Sequence, residues 1–232
     1  MGTLFVVATP IGNLEDITQR ALRILKEVDI IACEDTRLTK RLLDHYQITT
    51  NTISYHQHSK LGKIDFIINQ LKEGKDVALV SDAGTPGISD PGGLLVQAAY
   101  NEGIKVESVP GPSALIAALS ISGLPTDKFN FYGFLPHKKG RQTVLQEIVE
   151  SKTTAVFYES VHRIEKTLEQ LNSIMSGETL RQSQSDKERE IVVARELTKK
   201  FETVYKGSIQ EVLEKLKQDQ VKGEFVVIVS GK

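Results

Sequence analysis

Three short stretches rich in glycine and proline hold the residue pattern best suited to binding chemistry. They are Ser81-Asp82-Ala83-Gly84-Thr85-Pro86-Gly87-Ile88-Ser89-Asp90-Pro91-Gly92, Thr9-Pro10-Ile11-Gly12-Asn13-Leu14 and Val109-Pro110-Gly111-Pro112-Ser113-Ala114. Residues 84 to 93 alone carry four of the chain's 17 glycines and two of its seven prolines. Glycine lets a backbone come close to a ligand, and proline fixes the shape of a loop. The first two follow apolar runs and the third follows the expected strand Val106-Glu107-Ser108-Val109, which places each at the carboxyl end of a strand, where α/β proteins bind ligands. An ordinary strand-to-helix turn needs only about 2–6 residues, fewer than the longest of these. None of the three contains Lys or Arg. They therefore suit a ligand with an adenine ring and a ribose, held by main-chain N–H and C=O groups, and suit a polyphosphate poorly. Asp82 ends the apolar run Val77-Ala78-Leu79-Val80. Two roles fit it equally: a carboxylate facing a ribose hydroxyl or a positive centre, or a cap on the loop's own N–H groups.

Other chemistry-bearing residues are sparse. His56 and His58 alternate at strand spacing and share a face, but no third ligand accompanies them, so no metal site is expected. Cys33 is the only cysteine, which rules out an internal disulfide or a thiolate cluster and points to a reducing, cytoplasmic setting. Neither a G-x-G-x-x-G fingerprint nor a Walker A lysine motif occurs, and G-x-S-x-G and H-E-x-x-H are missing too. Basic residues cluster at Arg37-Lys40-Arg41, Lys138-Lys139-Arg141 and Lys199-Lys200. Such clusters can grip phosphates even though the net charge is −1; each alone more often marks a solvated face.

The elements that must position these residues follow from periodicity. The chain of 232 residues is 40% hydrophobic and 25% charged, ordinary composition for a soluble globular protein of one large or two modest domains. The apolar run at 3–9 is too short to cross a membrane, lacks a basic leader, and reads as a strand. Strands are expected at 4–8, 29–32, 52–55, 77–80 and 106–109. Between them, helical stripes run through 16–28, from a Thr36 cap through Leu38, Leu42, Leu43 and Tyr46, through 61–71, and through 94–100. This alternation predicts a mostly parallel sheet flanked by helices. If the first and fourth strands are neighbours, the 9–14 and 81–92 loops face each other.

Beyond Pro110-Gly111-Pro112 the grammar changes, and a domain boundary is expected within 110–128, dividing the chain into 1–112 and 113–232. The second part offers a helix from Ser113, a helix at 141–151, a strand at 154–158 and a helical stripe from Val161 to Ile174. Strands at 191–195, 202–206 and 225–229 follow, with a Ser208/Glu211 capping box opening a helix at 209–218. Short links between strands predict a mixed, largely antiparallel sheet. The polar segment 176–190 is expected to be a mobile surface loop. The fold class is thus two α/β domains, the first mostly parallel and the second mixed.

Eight ordered stretches together resemble the ribosomal RNA small-subunit methyltransferase I family, within the tetrapyrrole methylase superfamily. They are Ala8 to Leu14, Cys33-Glu34-Asp35-Thr36-Arg37, the 81–92 loop, Pro110 to Ala114, Gly133-Phe134-Leu135-Pro136, Glu159-Ser160-Val161-His162-Arg163, Ala194 to Lys199, and Gly223-Glu224-Phe225-Val226. The family pattern usually has proline where this chain has Val161, and the basic position after Pro136 is locally shifted. The resemblance implies S-adenosylmethionine as methyl donor, bound between two α/β domains with no metal, and 2′-O-ribose methylation of a cytidine in the decoding region of small-subunit rRNA. It implies a homodimer acting on rRNA or the small ribosomal subunit, away from membranes. Carried over to this chain, the donor-binding positions are Pro10, Gly12, Asp82, Ala83, Gly84, Ile88, Ser113, Ala114, Leu135, Tyr158 and Ala194.

Such chemistry sets further demands. A ribose hydroxyl needs a base, or nearby positive charge that favours the alkoxide. Glu34 and Asp35 can serve as the base, or can simply cap the helix that follows them. Arg37, Lys138 and Arg163 can supply charge, and the RNA-contact candidates are Arg37, Lys40, Arg41, Lys138, Lys139, Arg141, Arg163 and Lys199. Two other readings compete: a methylase acting on a tetrapyrrole carbon, and a non-catalytic RNA-binding or assembly protein. The neutral glycine loops speak against the latter, which would line its surface with cations and aromatics.

Overall fold

The computed structural model describes residues 1–56, 61–179, 189–219 and 221–232. Among them the chain forms two compact units, Met1–Ser113 and Ala114–Lys232. His58 and residues 180–188 of the expected polar loop lie outside the described residues.

The first unit is built from five strands and four helices: β1 Thr3–Val7, α1 Gln19–Glu27, β2 Ile30–Cys33, α2 Thr36–His45, β3 Asn51–Ser54, α3 Leu61–Lys72, β4 Val77–Val80, α4 Gly93–Asn101 and β5 Lys105–Val109. The strands lie in the order β3-β2-β4-β1-β5, and every pairing is parallel. β4 is buried along its whole length, as its unbroken Val77-Ala78-Leu79-Val80 run requires of a central strand covered on both faces. α1 shows why a helix forms where it does. Thr18 accepts from the Ala21 N–H at 3.1 Å, and Ala21, Ile24 and Leu25 then bury one face against Val7, Ile31 and Val80. At α2 the cap is Asp35, not Thr36: its carboxylate accepts from the Arg37 N–H at 2.8 Å, so Thr36 is the first helical residue.

The second unit comprises α5 Ala114–Ser122, β6 Phe129–Phe134, α6 Arg141–Glu150, β7 Thr154–Ser160, α7 Ile164–Thr179, β8 Glu190–Arg195, β9 Thr203–Ser208, α8 Ile209–Gln218 and β10 Glu224–Val229. Its sheet has the order β6-β7-β10-β8-β9. β6 and β7 run parallel and the other pairs antiparallel, which gives the mixed sheet expected. One face packs Ala155, Phe157, Val193 and Val227 against Leu145, Ile148, Leu168, Leu171 and Leu213 of α6, α7 and α8. α5 packs against β10. The Ser208–Glu211 capping box opens α8, with both reciprocal bonds made. Residues 176–179, assigned above to a loop, instead form the last turn of α7. Among the described residues no helix is long and apolar enough to cross a membrane.

Candidate functional site

Because β4, β1 and β5 are parallel neighbours, the loops that leave them emerge side by side. Hydrogen bonds then join the loops to one another. Thr9 N–H donates to the Gly84 carbonyl at 2.9 Å and Gly84 N–H returns the bond to Thr9 at 3.0 Å, a single antiparallel bridge that prolongs the contact between β1 and β4. Thr9 Oγ1 donates to the Ser81 carbonyl at 3.1 Å, and Thr85 Oγ1 reaches the Pro112 carbonyl at 3.2 Å. All three glycine-rich stretches therefore share one rim. Gly84 has φ +81°, and a Cβ there would meet Ile11 Cγ2 at 3.5 Å and the Pro112 carbonyl at 3.8 Å. Gly111 carries its own constraint, since a Cβ would stand 3.0 Å from the Ala8 methyl. Position 84 thus favours glycine for its left-handed backbone, with room for a Cβ, whereas at Gly111 the Ala8 methyl would have to give by a few tenths of an ångström.

A fourth strand end adds acids. Asp82 Oδ1 accepts from the Asp35 N–H at 3.0 Å, so the carboxylate ties the end of β4 to the end of β2 and leaves its residue exposed at the rim. Neither role considered above predicted this cross-strand bond. Asp35 in turn holds Arg37 at 2.8 Å, and the bonds from Arg37 bring its carboxyl down to about 2. Asp35 is thus a cap and an ion-pair partner. Arg37 itself projects into solvent with 87% of its side chain exposed, which keeps it available to an external anion. Burial pushes the Glu34 carboxyl up, and the charge of Asp82 adds to that push.

Asp90 was passed over in the sequence although it lies in the longest loop. Burial raises its carboxyl to about 6; a bond from Ser81 opposes the shift, and the negative charges of Glu34 and Asp82 reinforce it. The only hint was a second acid eight residues after Asp82 in the same loop. The rim therefore offers peptide groups and carboxylates without any Lys or Arg in its three glycine-rich loops. That donor set fits S-adenosylmethionine, whose sulfonium and ammonium are cations and whose ribose donates hydroxyl hydrogens. Among the described residues no group of three or more His, Cys, Asp and Glu is placed to hold a metal ion. Cys33 is buried at the end of β2, with burial raising its thiol and Sγ 3.6 Å from the Ile53 carbonyl. Ser113 and Ala114 end the third stretch, with Ala114 the first residue of α5, and Pro10 and Ile11 are buried while Gly12, Ala83 and Ile88 are exposed.

The candidates in the second unit are placed differently from one another. Tyr158 is half-buried, with Phe131 at 5.1 Å and Phe134 at 5.4 Å between ring centres. It pairs across the ladder with Val226, which pairs on its other side with Ala194, so Tyr158, Val226 and Ala194 form one row across the sheet. The Leu135 and Ala194 side chains are buried, leaving their peptides as what they can offer. Lys138 and Lys139 are exposed after β6. Arg141 and Arg163, expected among the RNA contacts, instead turn their guanidinium groups onto Glu159, at 3.6 and 2.8 Å. Arg141 is only 8% exposed, which withdraws it from solvent phosphates. Lys199 is held by Glu196 at 2.9 Å and Glu224 at 3.0 Å. On α2, Arg41 is exposed and Lys40 reaches Asp44 at 3.4 Å, an i,i+4 surface pair.

Comparison with known proteins places these features in a lineage. Residues 3–213 match the model of the tetrapyrrole (corrin/porphyrin) methylases. The chain is 48% identical over 231 residues to ribosomal RNA small subunit methyltransferase I of Halalkalibacterium halodurans, covering 99% of this chain and 76% of that one. The protein of the same name from Escherichia coli O157:H7 is 47% identical over 233 residues, with 99% and 78% covered. That from Thermotoga maritima is 44% identical over 232 residues, with both chains covered in full (100%). Among solved structures, a diphthine synthase aligns with a TM-score of 0.73 at 16% identity, covering 100% of this chain and 90% of that one. A uroporphyrin-III C-methyltransferase from Thermus thermophilus aligns at 0.63 and 20%, covering 99% and 94%; at such identities the likeness concerns the fold alone. With the parallel sheet, the three-loop rim and this degree of identity in agreement, the chain belongs to the tetrapyrrole methylase family and, within it, to the ribosomal RNA small subunit methyltransferase I family.

Proposed function

We propose that this protein is an S-adenosylmethionine-dependent methyltransferase that modifies the ribose 2′-hydroxyl of a cytidine in the decoding region of small-subunit rRNA. Family membership supports the reaction class, and the observation that carries the donor assignment is the rim itself. Three glycine loops are joined by the Thr9–Gly84 bridge and by the Thr85–Pro112 bond, with carboxylates and no cations among them. Bound there, the donor supplies an activated methyl group, and the displacement needs neither a metal nor a covalent enzyme intermediate. What the protein contributes is alignment and exclusion of water.

In this reading Pro10, Gly12, Asp82, Ala83, Gly84 and Ile88 belong to the donor set of the first unit, along with Ser113. Ala114, Leu135, Tyr158 and Ala194 are added from the second. Asp90 joins the list of acids that take the ribose proton, beside Glu34. A carboxyl raised to about 6 accepts a proton near neutral pH better than an ordinary carboxylate does. Arg37, Lys40, Arg41, Lys138 and Lys139 meet RNA phosphates, and the working form is a homodimer.

The test supplies methyl-labelled S-adenosylmethionine to purified protein with small ribosomal subunits, or with a porphyrinogen, and maps 2′-O-methyl groups on the rRNA. One labelled cytidine ribose is the expected result. Label in the porphyrinogen, or subunits bound without label, replaces this reading with a small-molecule methylase or an assembly protein respectively.

A further inference from the structure

Glu159 is the most deeply committed charge among the described residues. It sits near the end of β7 on the same face as Ala155 and Phe157, 1% exposed, where the alternation of the strand would otherwise place another core side chain. A carboxylate in that position is costly unless every oxygen is engaged. Oε1 accepts from Arg163 Nη2 at 2.8 Å and from the Ser160 N–H at 2.8 Å. Oε2 accepts from Thr167 Oγ1 at 2.8 Å and faces Arg141 Nη2 at 3.6 Å. Arg141 Nε also reaches Gln170 Oε1 at 3.0 Å, and its Nη2 donates to Thr167 Oγ1 at 2.5 Å.

The outward nitrogens of the two arginines converge on one short segment. Arg163 Nη1 donates to the Leu135 carbonyl at 2.9 Å, and Arg141 Nη1 donates to the Pro136 carbonyl at 3.2 Å. These two consecutive carbonyls follow directly on the end of β6. The Arg141 N–H closes the other side of the same loop, on the Lys138 carbonyl at 3.2 Å. The Arg141 side chain therefore holds the start of the Leu135–Gly140 loop, and its backbone N–H closes a turn on Lys138 within it. β6 enters this loop through a register shift between Phe131 and Phe134, with Gly133 at φ +60°. Such irregularities re-aim the residues that follow. A cluster serving core stability alone has no reason to spend two guanidinium forks on adjacent carbonyls of a surface loop. The loop's exposed tip carries Lys138 and Lys139.

We propose that the Glu159–Arg141–Arg163 cluster is a positioning device that holds the Leu135–Gly140 loop in one shape, so that the Lys138 and Lys139 ammonium groups meet the RNA substrate in a preset register. This rests on the proposed rRNA reading. None of the three residues is catalytic; they act through the loop. Arg141→Lys keeps the charge but loses the planar fork that bridges Glu159, Thr167 and Pro136. In steady-state assays with small subunits, R141K is expected to raise KM roughly tenfold and leave kcat within about threefold. Calorimetric affinity for S-adenosylmethionine stays within about twofold. The decisive arm is a double-mutant cycle with K138A/K139A. In the R141K background those two truncations should cost much less than in the native background, because the lysines are already out of register.

An R141K protein whose melting temperature falls while the subunit KM stays put overturns the proposal. So do effects of R141K and K138A/K139A that simply add. If R141K does not fold, R163K carries the same cycle. K138A/K139A that leave the native KM unchanged overturn the proposal as well, whereas a native protein that binds no donor or labels no rRNA defeats the rRNA reading, which separates the two outcomes.

Discussion

The rim of the first unit and the Leu135–Gly140 loop of the second both hold irregular backbone in a single shape at the end of a strand, and they do it by opposite means. The rim uses main-chain pairing and glycine: Thr9 and Gly84 exchange two bonds, Gly84 takes a left-handed φ, and Gly111 stands where a Cβ would crowd Ala8. The second loop uses charge: a buried glutamate anchors two arginines, and the arginines hold carbonyls. On the proposed reading the contrast separates two tasks. A surface that is to receive a nucleoside through peptide groups has to keep side chains out of the way. A loop that is to present ammonium groups to phosphates has to be stiffened from behind, and charged hydrogen bonds do that without occupying its outer face.

The strongest way to break this contrast is Glu159→Ala. It leaves two guanidinium groups facing a buried gap, and is expected to destabilise the second unit by about 3–5 kcal/mol in denaturant unfolding followed by circular dichroism. A loss under about 1 kcal/mol, the range of an exposed pair, would remove the charge-based half of the comparison. Gly84→Ala attacks the other half. Its φ of +81° imposes a left-handed penalty of about 1–2 kcal/mol on any side chain. Donor affinity in calorimetry should fall with it, and unchanged affinity would show that the rim does not hold the donor.

Asp90→Asn sharpens the comparison through pH. The Asp90 carboxyl is raised from 3.8 to about 6, so the native fold holds this proton more tightly than the unfolded chain does. The stability this confers is complete below pH 3.8 and is lost as the pH rises through about 6. The variant should match the native protein near pH 4 and exceed it near pH 7.5, by about 1 kcal/mol once solvent screening is allowed for. Thermal melting at both values checks this; an equal offset at both shows that ionisation is not the cause. If Asp90 takes the ribose proton, the same variant also loses turnover at saturating donor. The smallest effect belongs to Arg37→Ala. It should lower the slope of log affinity for RNA against log salt by about one phosphate's share, roughly 0.7 for a single strand. An unchanged slope takes Arg37 off the RNA surface.

Much of the architecture was readable from local pattern. The buried run Val77–Val80, the stripe Ala21-Ile24-Leu25 and the Ser208/Glu211 box are all short-range signals, and the structure realises each within a residue or two. The Thr36 cap was misplaced by one because Asp35 and Thr36 are both good caps and nothing local decides between them. The helix through 176–179 was missed because Ser176-Gly177-Glu178-Thr179 carries no apolar stripe to betray it.

Order along the chain determined which loops are glycine-rich, that they follow strands, and that they carry no cation, since all of this is composition and period. Which loops meet was decided only by the strand order β3-β2-β4-β1-β5, which sets the ends of β4, β1 and β5 beside each other although they lie far apart in sequence. The fate of individual charges was likewise tertiary. Arg141 and Lys138 are three residues apart and look alike in the sequence, yet one is 8% exposed against Glu159 and the other faces solvent. Burial and pairing depend on what folds back from α7 and β7, and periodicity carries no record of that.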